Sequence, residues 1–224
     1  GTIGGIIGSL YGNATITNSQ NHGNVVGTSA AEVSEHVDVI IDIKNPHLWN
    51  GIEDPYCYTA TAKLVKNDAV VDEVTVTYGY RSFHVDPNTG FWLNGKNVPL
   101  HGVSRHQDRL DKGWAISRED HVQDMELIKE VGANTIRLAH YQHDQYFYDL
   151  CDEYGMVVWA EIPFISVHLP KGRKNTVEQM KELVIQNYNH PSIFVWGLSN
   201  EITIGGESEE LLDNHRELND LVHS

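Results

Sequence analysis

Two patterns of hydrophobic and polar positions divide the chain. In the first part, apolar residues alternate with polar ones over short runs at 36–43, 58–66 and 73–80. Alternation with a period of two predicts strands, and the turn residues Asn67 and Asp68 between the last two runs predict a hairpin. A small antiparallel β-sandwich is therefore expected over residues 31–88.

The first 30 residues form a separate leader that is rich in Gly and Asn. Short β-branched runs between Gly and Asn predict turns and brief strands rather than a helix. The stretch also has a weak resemblance to one copy of the GLUG repeat of bacterial surface proteins. A single repeat cannot bury its own apolar face by stacking on neighbours, so this resemblance predicts no solenoid.

A second pattern begins near residue 89. Asn94-Gly95 predicts a tight hairpin between strands at 91–93 and 98–100. Beyond residue 100, apolar strand-like runs alternate with segments of helical periodicity, the order that is typical of a parallel α/β domain. Four strand-plus-helix units can be counted before the chain ends.

Three helices carry start signals. Ser117 with Asp120, and Thr176 with Gln179, have the spacing of a capping box, and Asp144 is a candidate N-cap. The last helix is expected over roughly 207–222.

Composition narrows the classes of function. The chain has 224 residues and a formal charge of −15, which disfavours nucleic acid as a partner because the phosphate backbone would be repelled. No apolar run approaches the roughly 20 residues of a membrane span. Cys57 and Cys151 lie in different predicted domains and are expected to be free thiols, which leaves the compartment open.

Polar residues that end the predicted parallel strands are the candidates for chemistry, because the carboxyl ends of parallel strands carry the active site in barrels of this kind. The candidates are His106, Asp108, Arg137, His140, His143, Glu161, Asn200 and Glu201. A carboxyl such as Glu201, directly after an apolar strand, is expected to be partly desolvated and so suited to act as a general acid. The Asn200 amide could bond a sugar hydroxyl, while Glu161 is expected to pair with Arg137.

The number of histidines raises the alternative of a metal-dependent hydrolase. The chain has 13 histidines, but it has no HExxH pattern and no zinc-site spacing around His101, His106, His140 and His143. No metal or cofactor is therefore expected.

Three segments carry a family resemblance: GFWLNGKNVPLHGVSRHQDR, GANTIRLAHYQHDQYFYDLCDEYGMVVWAEIP and NHPSIFVWGLSNE. They resemble the start of the catalytic domain of family 2 glycoside hydrolases, most closely the bacterial β-galactosidases, and KNPHLWNGIEDPYCYTATAKL resembles the end of the immunoglobulin-like domain that precedes it. The resemblance implies a TIM barrel, of which residues 89–224 would form the N-terminal half. It also implies retaining hydrolysis of a terminal β-galactoside, with β-glucuronidase as the alternative within the family.

The same resemblance implies roles for single residues. Glu201 would be the acid/base, next to the substrate-binding Asn200, and His106 and His140 would contact the sugar while Arg137 orients the nucleophile. Some members of the family bind magnesium after the third strand, but Ile165 stands near the position of the expected Glu, so no such metal is predicted here.

The nucleophile of the family is a Glu at the end of a seventh strand, which the printed chain does not reach. The chain alone is therefore expected to be inactive, and the open sheet edges are expected to favour self-association into a homo-oligomer. The other class of function considered is a non-catalytic surface or interaction module.

Overall fold

A computed structural model describes residues 43–224 and, before them, the backbone of two strands. The predicted strand at 36–43 lies outside the described residues except for Ile43, and so does most of the Gly-rich leader. The preceding strands are β1 (Ala14–Asn18) and β2 (Gly27–Thr28).

The alternating segments form an antiparallel sheet. Strands β3 (Tyr58–Lys66) and β4 (Ala69–Tyr78) pair along their lengths, and the sheet order is β2-β1-β3-β4. Asn67 and Asp68 take φ angles of 51° and 63°, as a tight two-residue turn requires, so the predicted hairpin is confirmed.

A small three-stranded sheet follows, formed by β5 (Phe83–Asp86), β6 (Gly90–Leu93) and β7 (Lys96–Asn97). The turn at Asn94 and Gly95 is as predicted, with φ angles of 49° and 79°. The predicted return strand at 98–100 is wrong, because β7 comes directly after the turn. Pro99 has no backbone N–H and cannot extend the ladder.

The second half of the chain contains a four-stranded parallel sheet in the order β11-β10-β9-β8. Its strands are β8 (Gly102–Arg105), β9 (Thr135–Leu138), β10 (Val157–Glu161) and β11 (Ile193–Gly197). Its helices are α1 (Arg118–Glu130), α2 (Gln145–Tyr154), α3 (Arg173–Asn187) and α4 (Glu209–His223). The predicted alternation of strand and helix is therefore present.

Helix starts follow the sequence signals in two of three cases. Ser117 and Asp120 form the predicted capping box of α1, and Asp144 accepts a hydrogen bond from the Tyr146 N–H at the start of α2. The predicted capping box at Thr176 is wrong, since α3 already begins at Arg173. The Thr176 hydroxyl lies inside the first turn and donates to the Arg173 carbonyl at 2.8 Å.

The main core lies between one face of the parallel sheet and the helices. Its largest fully buried side chains include Met125, Ile136, Leu138, Phe147 and Leu183. The other face of the sheet is open in the described part of the chain, where it presents Ser104, Arg137, Trp159 and Val195 in one row. None of the helices in residues 43–224 is long and apolar enough to cross a membrane.

A second, smaller core joins the antiparallel part to the parallel sheet. Trp49 is fully buried and clusters with Phe91, Leu93, Val157 and Phe194. Val157 is the first residue of β10, and Phe194 is the second residue of β11. The indole N–H of Trp49 donates to the Asp152 carbonyl at 3.0 Å. The start of the parallel sheet is therefore sealed by residues from the first half of the chain.

A close backbone contact accompanies this core at Gly155, the C-cap of α2. Its φ angle of 73° favours glycine, and a Cβ there would collide with the backbone of Gly51. Only glycine both accepts this φ angle without strain and avoids the collision with Gly51.

The buried Asp152 side chain links α2 to the segment before β11. One oxygen accepts from the Ser192 N–H at 3.1 Å, and the other pairs with His190 Nδ1 at 2.6 Å. Burial lowers the pKa of His190, but the hydrogen bond and charge of Asp152, helped by the charge of Asp149, outweigh it and raise the pKa above its usual value. The protonated imidazole is thus favoured in the folded state.

This pair predicts a pH-dependent contribution to stability. Because the folded pKa of His190 is raised, the contribution is complete below the unfolded pKa of about 6.5 and is lost as pH rises through the folded value. His190→Gln should lower the free energy of unfolding by about 2 kcal/mol at pH 5.5, and by less at pH 9. Urea unfolding at both values measures this, with His101→Gln at an exposed histidine as the control. An equal loss at both values would contradict the assignment.

Candidate active site

A buried carboxylate lies at the carboxyl end of the parallel sheet. Glu161 ends β10, and its side chain is only 1% exposed. Arg137 of the neighbouring β9 donates from Nε to Oε1 at 3.1 Å and from Nη2 to Oε2 at 3.0 Å. This bidentate contact supplies the positive charge that a buried carboxylate needs, and it is the pairing that the sequence predicted.

Two further predicted residues join this pair. His140 Nδ1 lies 2.9 Å from Glu161 Oε1, and Arg137 Nη2 donates to Asn200 Oδ1 at 2.6 Å. Arg137, His140, Glu161 and Asn200 therefore form one hydrogen-bonded cluster, which we call the polar floor. It joins the ends of three strands, since Asn200 follows β11.

The backbone around Asn200 is fixed from the segment after β10. The Asn200 N–H donates to the Phe164 carbonyl at 2.8 Å, and its carbonyl accepts from the Ser166 N–H at 2.9 Å. The preceding Ser199 hydroxyl bonds His215 Nε2 of α4 at 2.7 Å. These contacts hold the Asn200 amide at the Arg137 guanidinium.

Glu201 stands directly after Asn200 and begins a 3-10 turn over Ile202–Gly205. The expectation that its carboxyl would be partly desolvated is wrong for the described chain, because Glu201 is exposed. Its φ angle of 50° is left-handed, so the chain turns sharply here and the residue leaves the line of the strand. Left-handed backbone is uncommon for a non-glycine residue and often marks a functional position.

His106 lies beside the polar floor. Its ring centre is 5.1 Å from that of His140, edge to face, and its Nδ1 is 3.4 Å from the Tyr141 hydroxyl. Tyr141 in turn lies 4.9 Å, ring to ring, from Trp114. The sequence did not single out Tyr141 or Trp114; the one available signal was the position of Tyr141 directly after His140.

Arg105 is a buried hub beneath these residues. Its guanidinium donates to Asp124 at 2.7 Å and lies 3.0 Å from the Nδ1 atoms of both His143 and His121. It also sits over the Phe147 ring, 3.8 Å from the centroid. Arg105 lies within the segment GFWLNGKNVPLHGVSRHQDR, but the sequence pattern indicates no role for it.

His143 belongs to this buried support rather than to the open site. Burial, against the opposing effect of the hydrogen bond to the Ala139 carbonyl and together with the charge of Arg105, lowers the pKa of His143 to about 3. The ring is therefore neutral, with Nε2–H donating to Ala139 at 3.0 Å and Nδ1 accepting from Arg105. His143 thus fixes the residue that precedes His140.

Within 43–224, no group of three or more His, Cys, Asp or Glu side chains could hold a metal ion. Ile165 pairs with Asn200 through an isolated bridge and is itself half exposed, so the backbone after β10 lies at the polar floor without adding a carboxylate at that position.

Comparison with known families gives a class to this arrangement. The model described as "Glycosyl hydrolases family 2, TIM barrel domain" matches residues 85–223, and that described as "Glycosyl hydrolases family 2" matches residues 8–81. The chain belongs to glycosyl hydrolase family 2. The matches support the immunoglobulin-like and TIM-barrel domains that the sequence predicted.

Individual relatives of the chain are named as glycosidases. The chain is 44% identical over 208 residues to a β-glucuronidase of Bacteroides fragilis, covering 89% of this chain and 29% of that protein. It is 31% identical over 203 residues to a β-galactosidase of Thermoanaerobacter pseudethanolicus, covering 88% of this chain and 26% of the relative. The chain thus spans less than a third of the length of these relatives.

Solved structures resemble the whole described fold. An FMN-binding β-glucuronidase from Faecalibacterium prausnitzii L2-6 aligns with a TM-score of 0.84 and 49% identity, over 93% of this chain and 32% of that one. A β-galactosidase assigned as putative from Bacteroides fragilis aligns with a TM-score of 0.85 and 36% identity, over 96% and 33%.

Gly197 is predicted to be essential to the polar floor. A Cβ at this position would collide with Trp159 Nε1 and would lie 2.6 Å from Glu161 Cβ and 3.0 Å from Oε2. Gly197→Ala should therefore displace Glu161, shift the imidazole resonances of His140 and lower the free energy of unfolding by about 1–3 kcal/mol. Urea unfolding and histidine NMR measure the two effects.

Gly172→Ala is the matched control, because its added Cβ would meet only Leu169 at an ordinary 3.5 Å. If Gly197→Ala left both stability and the His140 resonances unchanged, the close packing around Glu161 would be refuted.

Proposed function

We propose that this chain carries part of the catalytic site of a retaining glycoside hydrolase that removes a terminal β-linked sugar. Glu201 is assigned as the acid/base, with His106, His140 and Asn200 binding the sugar and Arg137 positioning the groups around it. The observation that carries the proposal is the single guanidinium of Arg137, which contacts both Glu161 and Asn200 at the carboxyl ends of parallel strands.

Hydrogen bonding within the polar floor suits sugar recognition. Arg137 holds the Asn200 side-chain oxygen at 2.6 Å, so the amide N–H₂ remains to donate to a hydroxyl. A bond to the hydroxyl next to the reacting carbon can strengthen as an oxocarbenium-like transition state forms. In neutral His140 the proton lies on Nδ1, toward Glu161, which leaves Nε2 as an acceptor for a hydroxyl proton.

Glu201 suits proton transfer by its placement. Its left-handed backbone presents the side chain beyond the end of β11, next to Asn200, where a bound glycoside would cover it. Covering an exposed carboxyl with substrate removes water from it and raises its proton affinity, as a general acid requires. We therefore assign the partial desolvation of the Glu201 carboxyl, which the sequence predicted, to the complex with bound substrate.

Glu161 is not assigned as the nucleophile. A retaining mechanism places the attacking carboxylate about 5–5.5 Å from the acid/base, free to approach the anomeric carbon. Both oxygens of Glu161 are occupied by Arg137 and His140 in a buried position. The family resemblance puts the nucleophile on a later strand of the barrel, and residues 89–224 are proposed to be its first four units, after an immunoglobulin-like domain at 31–88.

The sugar is proposed to be a β-glucuronide, with a β-galactoside as the second candidate. The glucuronidases compared above share 44% and 49% identity with this chain, whereas the galactosidases share 31% and 36%. The preference for a β-galactoside drawn from the sequence motifs stays a prediction.

The role of Glu201 predicts a dependence on the leaving group. In an active protein that includes these 224 residues, Glu201→Gln should slow cleavage of alkyl β-glycosides by about 10²–10⁴. Aryl glycosides with good leaving groups should lose far less in the first step, because they need no proton there. The kcat/KM values for both substrates, which report the first step, measure this. Glu207→Gln, at an exposed glutamate, is the control. Equal losses on both substrates would refute the acid/base role.

The choice of sugar is tested with one pair of substrates. Aryl β-glucuronide and aryl β-galactoside, which share a leaving group, should differ by at least tenfold in kcat/KM in favour of the glucuronide. Such a ratio corresponds to about 1.4 kcal/mol of differential transition-state binding. A preference for the galactoside would restore the assignment drawn from the sequence.

A further inference from the structure

A short loop lies between β8 and α1. Over 109–114 it closes on itself: the Arg109 N–H donates to the Gly113 carbonyl at 3.0 Å, and the Gly113 N–H donates back at 2.9 Å. Asp111 and Gly113 take left-handed φ angles of 65° and 56°, which make the tight reversal.

Charged contacts fasten this loop to helix α1. Arg109 pairs with Asp124 at 2.5 Å and donates to Gln123 at 2.6 Å, while Lys112 pairs with Asp120 at 2.7 Å. Several partly buried contacts from two loop residues to one helix give a fixed position rather than a free surface segment.

The fixed loop nevertheless exposes large apolar side chains. Trp114 is 68% exposed and Leu110 is 90% exposed. Scattered apolar residues on a surface need no explanation, but a tryptophan that is both exposed and held in a fixed position offers a flat apolar face to a ligand.

Trp114 is connected to the proposed sugar site through an aromatic row, which consists of Trp114, Tyr141, His106 and His140. Successive ring centres are 4.9, 5.9 and 5.1 Å apart. The Tyr141 hydroxyl accepts from the Gln107 N–H at 3.1 Å, which holds the ring that supports Trp114.

The row connects the buried floor to the surface. Glu161 at the floor is buried, His140 and Tyr141 are half-buried, and His106 and Trp114 are exposed. A glycoside whose hydroxyls face the polar floor must direct the rest of the molecule toward solvent, and the row ends there in a flat apolar surface.

We propose that Trp114 contacts the leaving group of the substrate, and that the site prefers leaving groups with a flat apolar face. Either an aromatic ring or the C–H face of a second pyranose offers such a face. The inference rests on the proposed function and adds the chemical class of the group beyond the cleaved bond.

Binding to the printed chain tests the inference, since no turnover is needed. Phenyl and methyl β-glycosides of glucuronic acid and of galactose are titrated calorimetrically against the wild-type chain and Trp114→Ala. For the sugar that binds, the phenyl glycoside should bind about threefold to tenfold more tightly than the methyl glycoside. Trp114→Ala should abolish that ratio and leave the methyl affinity unchanged. A β-linked disaccharide shows whether a pyranose face is accepted as well as an aromatic ring.

Trp92→Ala on β6, outside the aromatic row, is the control and should keep the full ratio. If the glycosides bind but Trp114→Ala keeps the ratio, the inference about the leaving group is overturned while the proposed function stands. If neither phenyl nor methyl glycoside binds, the sugar site itself is refuted, and the inference falls with it.

Discussion

The ion pair between Arg137 and Glu161 is the interaction on which the candidate site depends. An unpaired carboxylate with 1% of its side chain exposed would cost several kcal/mol of desolvation. Arg137 compensates that charge from the adjacent strand and uses the same guanidinium to hold Asn200. The same guanidinium therefore balances the buried charge of Glu161 and fixes the position of the Asn200 amide, which is proposed to bind the sugar.

Elements of the fold were predictable where local chemistry decides them. Ser117 and Asp144 can satisfy free N–H groups at a helix start whatever surrounds them, and Asn94-Gly95 accepts the positive φ angles of a tight turn. Thr176 misled because its hydroxyl is also satisfied inside the helix, by the Arg173 carbonyl, once packing extends the helix by a turn. Helix boundaries that packing sets cannot be read from a capping motif alone.

The grouping of the candidate residues was predictable for a different reason. Parallel strands bring their carboxyl ends to one edge, so Arg137, His140, Glu161 and Asn200 could be grouped without knowledge of any distance. The exposure of Glu201 was not predictable, because it depends on a single left-handed residue. The roles of Arg105 and Trp114 were hidden as well, since each is defined by partners from other segments of the chain.

The burial of Trp49 has a consequence for how the two regions that match the family models, residues 8–81 and 85–223, unfold. Its indole belongs to the first region, yet it packs on Val157 and Phe194 at the start of the parallel sheet and bonds α2. Melting of the β-rich region would strip apolar cover and a hydrogen-bond partner from the α/β region at the same time. The two should therefore lose their structure in one cooperative heat-absorption peak, as a single thermodynamic unit that happens to be built from two architectures.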